Sequence, residues 1–558
     1  MLDCIELENF KAFGKRVRIP CAPITLIFGQ NSAGKSSVLQ ALNLLKQTRE
    51  NRDTGTVLLP RADKGIVDLG SFQDLLYDHD LRRSLRIRLL VNIPVGKHKP
   101  FAIRALALKA NKPIIGGIEL AFHRRSINEE VKLKELLIFL TDTQVPFASL
   151  KYTDPIMRHI RNMIRFRSPE LHFPRQLNMA KLSKLSSNPI YWTGGFKEFK
   201  EHKNDILSGL KNLRKGLIDD SEEASQRYLF DIEENEGFSK DKYLREIEKA
   251  ISFYSTDFSE EQFSHRMSNL FKNTIIGLEG FLPITQSRYP GFAPEIDILR
   301  DSRLSPSFFM RRPDPARLIL TVSRQIDEFL EQLFPLGPFR RPPERWYIFT
   351  GTSPQDVGYL GNSLPDLLYR NPSLVKSTNN WLRKLEIGYK LSVKPVGRRA
   401  KDLFEVRLVD ILRKDKIDVC LADVGFGISQ LLPFIVQSLA SENQIITIEQ
   451  PEIHVHPKLQ ADLGDLMIEA IHEPRNNQFL IETHSEHLIL RLLRRIRETT
   501  EGDLPHEVLP LRPNQLAVFY VQRGDNGSEV IHIPVNAEGE FKRPWPQGFF
   551  GERARELF

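Results

Sequence analysis

One stretch of the sequence combines glycines, a lysine and hydroxyl side chains at a spacing that suits the binding of a phosphate chain. It runs from Ile24 to Ser37, and its apolar first part reads as a buried strand leading into the pattern G-x-x-x-x-G-K-S. Gly29 and Gly34 permit a tight turn in which successive backbone N–H groups point toward anionic oxygens. A helix that begins near Lys35 adds the positive end of its dipole. The pattern predicts a phosphate-binding loop between a strand and a helix.

The polar residues of this loop have separate predicted roles. Lys35 is expected along the β- and γ-phosphates, and the Ser36 hydroxyl is expected to take one Mg²⁺ position. The other loop residues predicted to contact a nucleotide are Asn31, Ser32 and Ser37. A chance match in a glycine-containing turn is disfavoured, because strand, loop and helix follow one another in the required order.

A second group of candidate residues lies far along the chain. The run Ile445–Glu452 is apolar and ends in acids, which is typical of a strand that delivers a carboxylate to Mg²⁺, a metal that takes hard oxygen ligands. Pro451 then stops sheet pairing and turns the chain. The next apolar strand, Phe479–Glu482, leads into Thr483-His484-Ser485. A histidine at this position can reach a γ-phosphate or orient an attacking water.

Two glycines lie between these halves, immediately before a predicted helix. Gly425 and Gly427 precede the apolar run Leu431–Leu439 and predict a second anion-binding helix N-terminus. Because the chain already has one phosphate loop, we interpret this second one as serving the nucleotide of a neighbouring subunit.

Composition places the chain among globular proteins. It has 558 residues, of which 41% are hydrophobic and 27% charged, and it contains no apolar run of the roughly 18 residues that a membrane helix needs. Three cysteines without C-x-x-C spacing argue against a disulfide framework or a thiolate zinc site, and the acidic N-terminus does not resemble a signal peptide. These features favour a cytoplasmic protein. A net charge of +8 permits a nucleic-acid partner without requiring one.

The patterns divide the chain into three segments, read as an N-terminal half, an insertion and a C-terminal half. Residues 1–140 and 336–558 are predicted to form the two halves of one nucleotide-binding head, and residues 141–335 a helical insertion. Strands are predicted at 2–9 paired with 16–28, Ser84–Ile93, Phe101–Leu108, Ile115–His123, Leu133–Leu140, Tyr389–Val393 and Leu403–Leu408. Helices are predicted at Ile156–Ile164, Ile206–Leu217, Tyr243–Phe253, Phe263–Phe271 and Leu318–Phe334.

Charge is uneven within the predicted insertion. Residues 151–215 carry fourteen Lys or Arg against five Asp or Glu. Arg158, Arg161 and Arg165 fall on one face of a predicted helix. Solvated helix faces and a surface for nucleic acid or a partner protein are both open interpretations.

Taken together, these motifs resemble the ABC-type ATPases of the RecF, SMC and OLD group, which are common in bacterial DNA repair and phage defence. The resemblance covers about residues 1–75 and 420–490, and the ending Pro544–Phe550 resembles the tail of an uncharacterised branch. It implies an α/β fold: an ABC-type P-loop ATPase head, with a mixed sheet, flanking helices and an antiparallel β subdomain, carrying a helical insertion. It also implies ATP and Mg²⁺ as cofactors.

The resemblance further implies a homodimer in which two heads sandwich two ATP molecules, with higher assembly possible. Lys35 and Ser36 of one subunit would then face Gly425 and Gly427 of the other, which is a two-fold arrangement with shared sites. The remaining roles implied are Glu449 as magnesium ligand of the Walker B strand, His484 as the switch histidine, and Lys11 and Phe13 as residues near the nucleotide.

This sequence departs from the pattern of the group at three places. Gln450 stands where the group has a glutamate that acts as general base, so hydrolysis is expected to be slow unless Glu452 or His484 assists. The signature around Gly425 lacks the usual Ser-Gly-Gly order. The usual metal-binding glutamine is not evident, and Gln73 is the candidate for it.

Three other groups of residues invite alternative functions. His454 and His456 suggest zinc but match the continuation expected after Walker B, so a metal role is disfavoured. OLD-type relatives often carry a Toprim nuclease with a D-x-D motif, whereas Asp525 stands alone in its turn, so no nuclease site is predicted. A solvated face is favoured over a DNA site for the arginines on the helix after His484: Arg491, Arg494, Arg495 and Arg497.

Three functional hypotheses follow. The favoured one is an ATP-driven dimeric switch that controls a separate effector protein, a nuclease or toxin, in bacterial antiviral defence. The alternative is a DNA repair or maintenance ATPase that clamps DNA when ATP is bound. A P-loop kinase acting on a small molecule is disfavoured by the signature and the Thr-His-Ser motif.

Overall fold

The computed structural model describes residues 1–51, 56–63, 65–94, 114–124, 126, 129–141, 143–152, 178–186, 193–219, 240–270, 275–279, 281–283, 315–349, 351, 353–396 and 402–546. The chain divides into two compact units. The first, called the head unit here, comprises Met1–Glu50, Leu59–Leu89 and Glu328–Phe558. The second, the insertion unit, comprises Asn51–Leu58 and Leu90–Asp327. Three separate stretches of sequence therefore build the head unit.

The strands within the described residues are β1 Leu2–Glu8, β2 Val17–Pro20, β3 Ile24–Gly29, β4 Leu85–Ile93, β5 Ile114–His123, β6 Lys132–Leu140, β7 Ala148–Tyr152, β8 Asn178–Leu185, β9 Ile275–Glu279, β10 Leu282–Pro283, β11 Leu333–Leu336, β12 Tyr347–Ile348, β13 Tyr389–Pro395, β14 Leu403–Asp410, β15 Asp418–Cys420, β16 Ile445–Glu449, β17 Gln478–Glu482, β18 Leu516–Gln522 and β19 Glu529–His532. The α-helices are α1 Lys35–Glu50, α2 Phe72–Leu75, α3 Thr193–Ile218, α4 Lys240–Ser255, α5 Glu260–Leu270, α6 Pro315–Gln332, α7 Leu364–Arg370, α8 Pro372–Lys384, α9 Phe426–Ala440, α10 Pro457–Ala470 and α11 Glu486–Glu501.

The head unit is organised around a six-stranded sheet of order β11-β16-β17-β3-β18-β19. The first five of these strands are parallel, and β19 runs antiparallel to β18. The central strands are continuous apolar runs because helices cover both faces of a parallel sheet. Their carboxyl ends meet at one edge, which brings together Gly29, Glu449 and Glu482 from distant parts of the sequence.

A smaller antiparallel sheet, of order β12-β14-β13 with β15 paired to β14, lies in the same unit. Its inner residues, including Phe404 and Leu408, join the core cluster that holds Phe28 and Ile448. The Asn379 side chain covers part of the outer edge of β13. Its amide donates to the Leu391 carbonyl oxygen and its side-chain oxygen accepts from the Leu391 N–H. The two sheets agree with the predicted mixed head with an antiparallel subdomain.

The insertion unit contains an antiparallel sheet of order β10-β9-β8-β7-β6-β5-β4 as well as helices α3 to α6. The prediction of a helical segment over 141–335 is therefore too simple, because β7, β8, β9 and β10 fall inside it. The helix predicted at Leu318–Phe334 ends at Gln332, and Leu333–Leu336 forms strand β11. An apolar run of this length fits a helix end or a buried strand equally well.

The prediction that residues 2–9 pair with residues 16–28 is correct for Val17–Pro20 and wrong for Ile24–Gly29. β2 pairs antiparallel with β1, but β3 separates from it after Pro23 and enters the six-stranded sheet. The predicted strand Phe101–Leu108, the predicted helix Ile156–Ile164 and the three arginines Arg158, Arg161 and Arg165 lie outside the described residues. Within the part of the chain that is described, no helix is long and apolar enough to cross a membrane.

Candidate nucleotide-binding site

The phosphate-binding loop has the backbone that its glycines predict. Gly29 has a φ of +147°, and a Cβ there would lie 2.1 Å from the carbonyl oxygen of Val521. Gly34 has a φ of +96°, and a Cβ there would lie 2.5 Å from the Ala12 side chain. Both positions exclude side chains for conformational and steric reasons. The two glycines therefore let the loop approach Val521 and Ala12 more closely than any larger residue would allow.

Lys35 opens helix α1 and turns its side chain back over the loop. Its Nζ donates hydrogen bonds to the carbonyl oxygens of Gly29, at 3.1 Å, and Gln30, at 2.8 Å. Burial lowers the pKa of the Lys35 ammonium, while the carboxylates of Glu482 and Glu452 oppose that change. The positive charge is thus held within the loop by carbonyl oxygens, which a phosphate oxygen can replace as a stronger acceptor.

Two carboxylates lie side by side next to Ser36. Glu449 ends β16, Glu482 ends β17, and the two residues are partners in the parallel ladder. Burial raises the pKa of Glu482, and the nearby Ser36 hydroxyl and the charge of Lys35 oppose that rise. Burial, with the Glu482 carboxylate adding to it and Lys11 opposing it, raises the pKa of Glu449 to about 7. This arrangement concentrates negative charge opposite the phosphate loop, where a cation is required.

The donors at this edge fit Mg²⁺. A serine hydroxyl and a glutamate carboxylate are hard oxygen ligands, and Mg²⁺ retains several waters beside them. Among the described residues, no group of three or more His, Cys, Asp or Glu side chains is arranged to hold a metal ion. The interpretation that His454 and His456 have no metal role stays a prediction.

Glu452 links the turn after β16 to the Thr483-His484-Ser485 segment. One carboxylate oxygen accepts from the Thr483 hydroxyl at 2.8 Å, and the other accepts from the backbone N–H of His484 at 2.6 Å. Burial raises the pKa of this carboxyl, and these hydrogen bonds oppose the rise. Both oxygens are engaged, so Glu452 is arranged to position His484. Its predicted role as an assisting base stays untested.

His484 and Gln450 are held by their backbones at the same edge. Gln450 has a φ of +46°, and its N–H donates to the Glu482 carbonyl oxygen at 2.7 Å. Ser485 caps helix α11 by accepting from the N–H of Leu488. Burial and the charge of Lys35 lower the pKa of His484, which favours the neutral imidazole with one donor and one acceptor nitrogen.

The turn that contains Lys11 and Phe13, the residues predicted to lie near the nucleotide, packs against the phosphate-binding loop. Lys11 has a φ of +47°, and its Nζ donates to the Gln40 side chain at 2.7 Å. Phe13 is fully buried, and its ring lies 3.8 Å from where a Cβ of Gly34 would be. Phe13 therefore packs beneath the loop, whereas Lys11 lies within the electrostatic influence of Glu449.

Gln73, the predicted metal-binding glutamine, lies in the short helix α2. Its side-chain amide donates to the carbonyl oxygen of His79 at 3.3 Å. The backbone beside it supports the Lys11 turn, because the Lys11 N–H donates to the Leu75 carbonyl oxygen at 2.7 Å. A metal role for Gln73 stays a prediction.

The second glycine pair lies at the N-terminus of α9, as predicted. Gly425 is exposed, and no atom lies within 4 Å of where its Cβ would be. Gly427 is confined, since a Cβ there would lie 2.5 Å from the His454 carbonyl oxygen. The glycines thus have different functions in the fold: Gly427 permits close packing, and Gly425 leaves an open helix terminus.

Three residues at this edge were not predicted as site residues, namely Glu482, Arg340 and Tyr359. Arg340 follows β11, the neighbour of β16, and is only 4% exposed. Its Nε and Nη2 have no hydrogen-bond partner among the described residues, and Glu452 is the charge that influences it. Tyr359 lies within the electrostatic influence of Glu449. Arg340 and Glu482 could have been predicted as site residues from the fact that β11 and β17 neighbour β16. The sequence alone does not give that strand order.

A buried guanidinium with unpaired donors is unfavourable in the isolated protein, which leads to a prediction. We expect Arg340→Met to raise the free energy of unfolding by about 1–3 kcal/mol, since an apolar side chain avoids the desolvation of a charge. Chemical denaturation without nucleotide measures this. Arg341→Met is the matched control, because exposed Arg341 pairs with Glu344 at 2.6 Å and should change stability little. A large loss of stability in Arg340→Met would show that the guanidinium holds the fold together.

The arginines after His484 are engaged in ion pairs within the head. Arg495 donates to both carboxylate oxygens of Asp465 and to Glu498. Arg491 pairs with Asp462 and Asp465, and Arg494 pairs with Glu498. The pairs of Arg491 and Arg495 with Asp462 and Asp465 join α10 to α11, whereas Arg494 pairs with Glu498 within α11. Arg495 is buried, so the predicted solvated face does not describe it. The interpretation that disfavours a DNA site there stays a prediction.

The chain matches the family described as the AAA ATPase domain over residues 1–281 and 369–489, and it belongs to that family. Residues 511–558 match a second family, described as a protein of unknown function (DUF3696). No curated protein matches the chain. Within the second match, Trp545 packs edge-on against Phe28 of β3, with ring centroids 5.3 Å apart. The fold is that of an ABC-type P-loop ATPase head.

Solved structures to which the chain is similar include SMC head domains. One, from Pyrococcus furiosus, has an extended coiled coil and is bound to the C-terminal domain of ScpA; it is 11% identical with a TM-score of 0.34, and 96% of each chain is covered. Another, from Thermotoga maritima, is 9% identical with a TM-score of 0.33, covering 96% of this chain and 99% of that one.

Proposed function

We propose that this protein is an ATP-binding, slowly hydrolysing dimeric switch that controls a separate effector protein in antiviral defence. One observation carries the ATPase part of the proposal: Lys35, Ser36, Glu449 and Glu482 come together at one edge of the sheet, although the chain between them is very long. Cation, hydroxyl and carboxylates at a phosphate loop are what a Mg²⁺–triphosphate complex requires.

The division of labour among these residues follows from their contacts. The loop backbone and Lys35 would bind the phosphates, and Ser36 with Glu449 would hold Mg²⁺, which would neutralise charge on the phosphate oxygens. Glu452 keeps the Thr483-His484 segment in place beside them. Gln450 can orient a water molecule but cannot accept its proton, and slow turnover follows.

A slow ATPase is suited to switching, because the lifetime of the ATP-bound state sets the duration of the signal. The head also has apolar side chains available to a partner protein. Phe339 is 80% exposed and Ile348 is 67% exposed, on the segment that contains Arg340. A partner protein that covers these exposed side chains would contact the segment that contains Arg340. Arg340 is in turn influenced by the charge of Glu452. This connection supports control of an effector protein through the ATP site.

The direct test is whether hydrolysis is limited by the missing base. We expect Gln450→Glu to raise the ATPase rate about 100-fold, the scale of general-base catalysis. Gln450→Asn retains a neutral amide and should not accelerate the reaction, which makes it the matched control. Phosphate release at saturating ATP measures the effect. An unchanged rate in Gln450→Glu would mean that another residue already acts as base.

The effector and the DNA-maintenance alternative are separated by what binds the ATP-loaded protein. The effector proposal predicts that a nuclease or toxin subunit co-purifies with the native protein when ATP is present. Duplex binding that requires ATP and weakens steeply with salt would instead support the DNA-maintenance ATPase.

A further inference from the structure

Glu482 is a buried carboxylate at the centre of the site. It is 4% exposed, ends β17 next to Glu449, and lies close enough to the Ser36 hydroxyl for that group to oppose the rise in its pKa. Its Oε2 has no hydrogen-bond partner within the described part of the chain. Lys35 is the cation that opposes the raised pKa of Glu482, and that ammonium donates hydrogen bonds to the carbonyl oxygens of Gly29 and Gln30.

This position is unfavourable for an acid unless a cation is bound there. Two carboxylates on adjacent parallel strands repel each other, and burial removes the water that would screen them. The three residues before Glu482 in β17, Phe479–Ile481, are apolar and buried, so packing does not require an acid at the end of the strand. An unpaired buried oxygen of this kind indicates a ligand that supplies positive charge or a hydrogen-bond donor.

We propose that Glu482 is the second carboxylate of the magnesium site, acting by holding Ser36 and a metal-bound water. The proposal rests on the proposed function as an Mg²⁺–ATP switch. In the proposed site the Ser36 hydroxyl would donate to Glu482 and keep its oxygen lone pairs for the metal. The unpaired Oε2 is then the acceptor for a water of the metal shell, the usual role of outer-shell carboxylates.

Charge balance supports this assignment. Strand β16 supplies one acid, Glu449, and the residue that follows it, Gln450, is neutral. Glu482 on the neighbouring strand supplies a second negative charge at the same edge. It does so beside Ser36 and away from the position of the general base, so charge for the metal is retained while proton abstraction is weakened.

A simpler role would be to neutralise Lys35, and nucleotide binding with and without metal distinguishes the two. As part of the metal site, Glu482 assists binding in Mg²⁺ and repels the triphosphate without it. As a mere partner of Lys35, it influences the ammonium equally in both conditions. The sign of the effect in each condition therefore decides between the roles.

The experiment measures the Kd of a non-hydrolysable ATP analogue by calorimetry, in excess Mg²⁺ and in EDTA. We expect Glu482→Gln to weaken binding about tenfold or more in Mg²⁺, as loss of an outer-shell ligand does, and to tighten binding severalfold in EDTA. Glu482→Asp keeps the charge and should lose less in Mg²⁺. Glu501→Gln, at the exposed end of α11, is the control and should match the wild type in both conditions.

The outcomes separate this inference from the proposed function. If wild type binds the Mg²⁺ complex but Glu482→Gln changes both affinities in the same direction, or neither, Glu482 is not part of the metal site and the switch proposal stands. If wild type binds no nucleotide in Mg²⁺, the proposed function itself fails. Thermal unfolding of each variant confirms that a folded protein was compared.

Discussion

Replacing Lys35 by alanine should abolish nucleotide binding and turnover, with an expected loss of about 100-fold or more, the scale for removing one preorganised charge at a phosphoryl site. The loop backbone should survive, because Gly29 and Gly34 are fixed by contacts with Val521 and Ala12 rather than by the ammonium. The variant should therefore lose affinity without losing its fold. Fluorescence titration with labelled ATP and phosphate release measure the two losses separately.

Lys46 provides the matched control on the same helix. Its side chain pairs with Glu50 and donates to the carbonyl oxygen of Leu330, away from the loop. Lys46→Ala should bind ATP as wild type does, so any general effect of removing a lysine from α1 is accounted for. Wild-type affinity in Lys35→Ala would refute the assignment of the phosphate loop.

Local patterns predicted the parts of the site that lie within one continuous element. The strand, loop and helix around Lys35 follow each other directly, and the apolar run ending at Glu449 is a strand of nearly the predicted length. Glycine spacing and a closing acid are visible in sequence because their function depends on neighbours along the chain.

The unpredicted residues depend on contacts between distant elements. Glu482 gains its importance only because β17 lies between β16 and β3, which places its carboxylate beside both Glu449 and Ser36. Arg340 reaches the site because β11 is the outer neighbour of β16. Strand order in a parallel sheet is set by crossovers and packing, which no local periodicity records.

The same limit explains the error in the insertion. Its strands pair with partners far away in sequence, as β8 does with β9, and both were too weakly patterned to separate from the surrounding helices. Strand propensity is strongly dependent on tertiary context, whereas the helices α4 and α5 were recognised from their own periodicity.

Of the two glycines before α9, Gly425 is the one whose substitution can test whether two subunits share each site. A substitution at Gly427 would confound the result, because its Cβ would collide with the His454 carbonyl oxygen within the same subunit. Gly425 has an ordinary φ of −51° and open space around it, so Gly425→Glu should fold normally. In the proposed dimer its carboxylate would repel the phosphates bound by the partner subunit.

Gly425→Glu alone should lose nearly all ATPase activity, by about 100-fold, because each shared site would contain one repelling carboxylate. Gly425→Ala is the control for the loss of glycine and should remain active. Gly425→Glu should also retain wild-type affinity for ATP as a monomer, since its own Lys35 is intact. Loss of that affinity would place Gly425 within its own subunit's site.

Mixing Gly425→Glu with Lys35→Ala should then restore activity that neither variant has alone. A hybrid dimer has one site in which both defects meet and one in which wild-type Lys35 faces wild-type Gly425. With free exchange of equal amounts, half of the dimers are hybrids, so independent sites predict about a quarter of the wild-type rate in a two-fold dimer. Phosphate release from the mixture measures it, with each variant alone as the baseline. If subunits exchange and the mixture is still as inactive as its components, there are two explanations. Each subunit completes its own site, or hydrolysis requires both sites at once. The ATP affinity of Gly425→Glu alone distinguishes these two explanations.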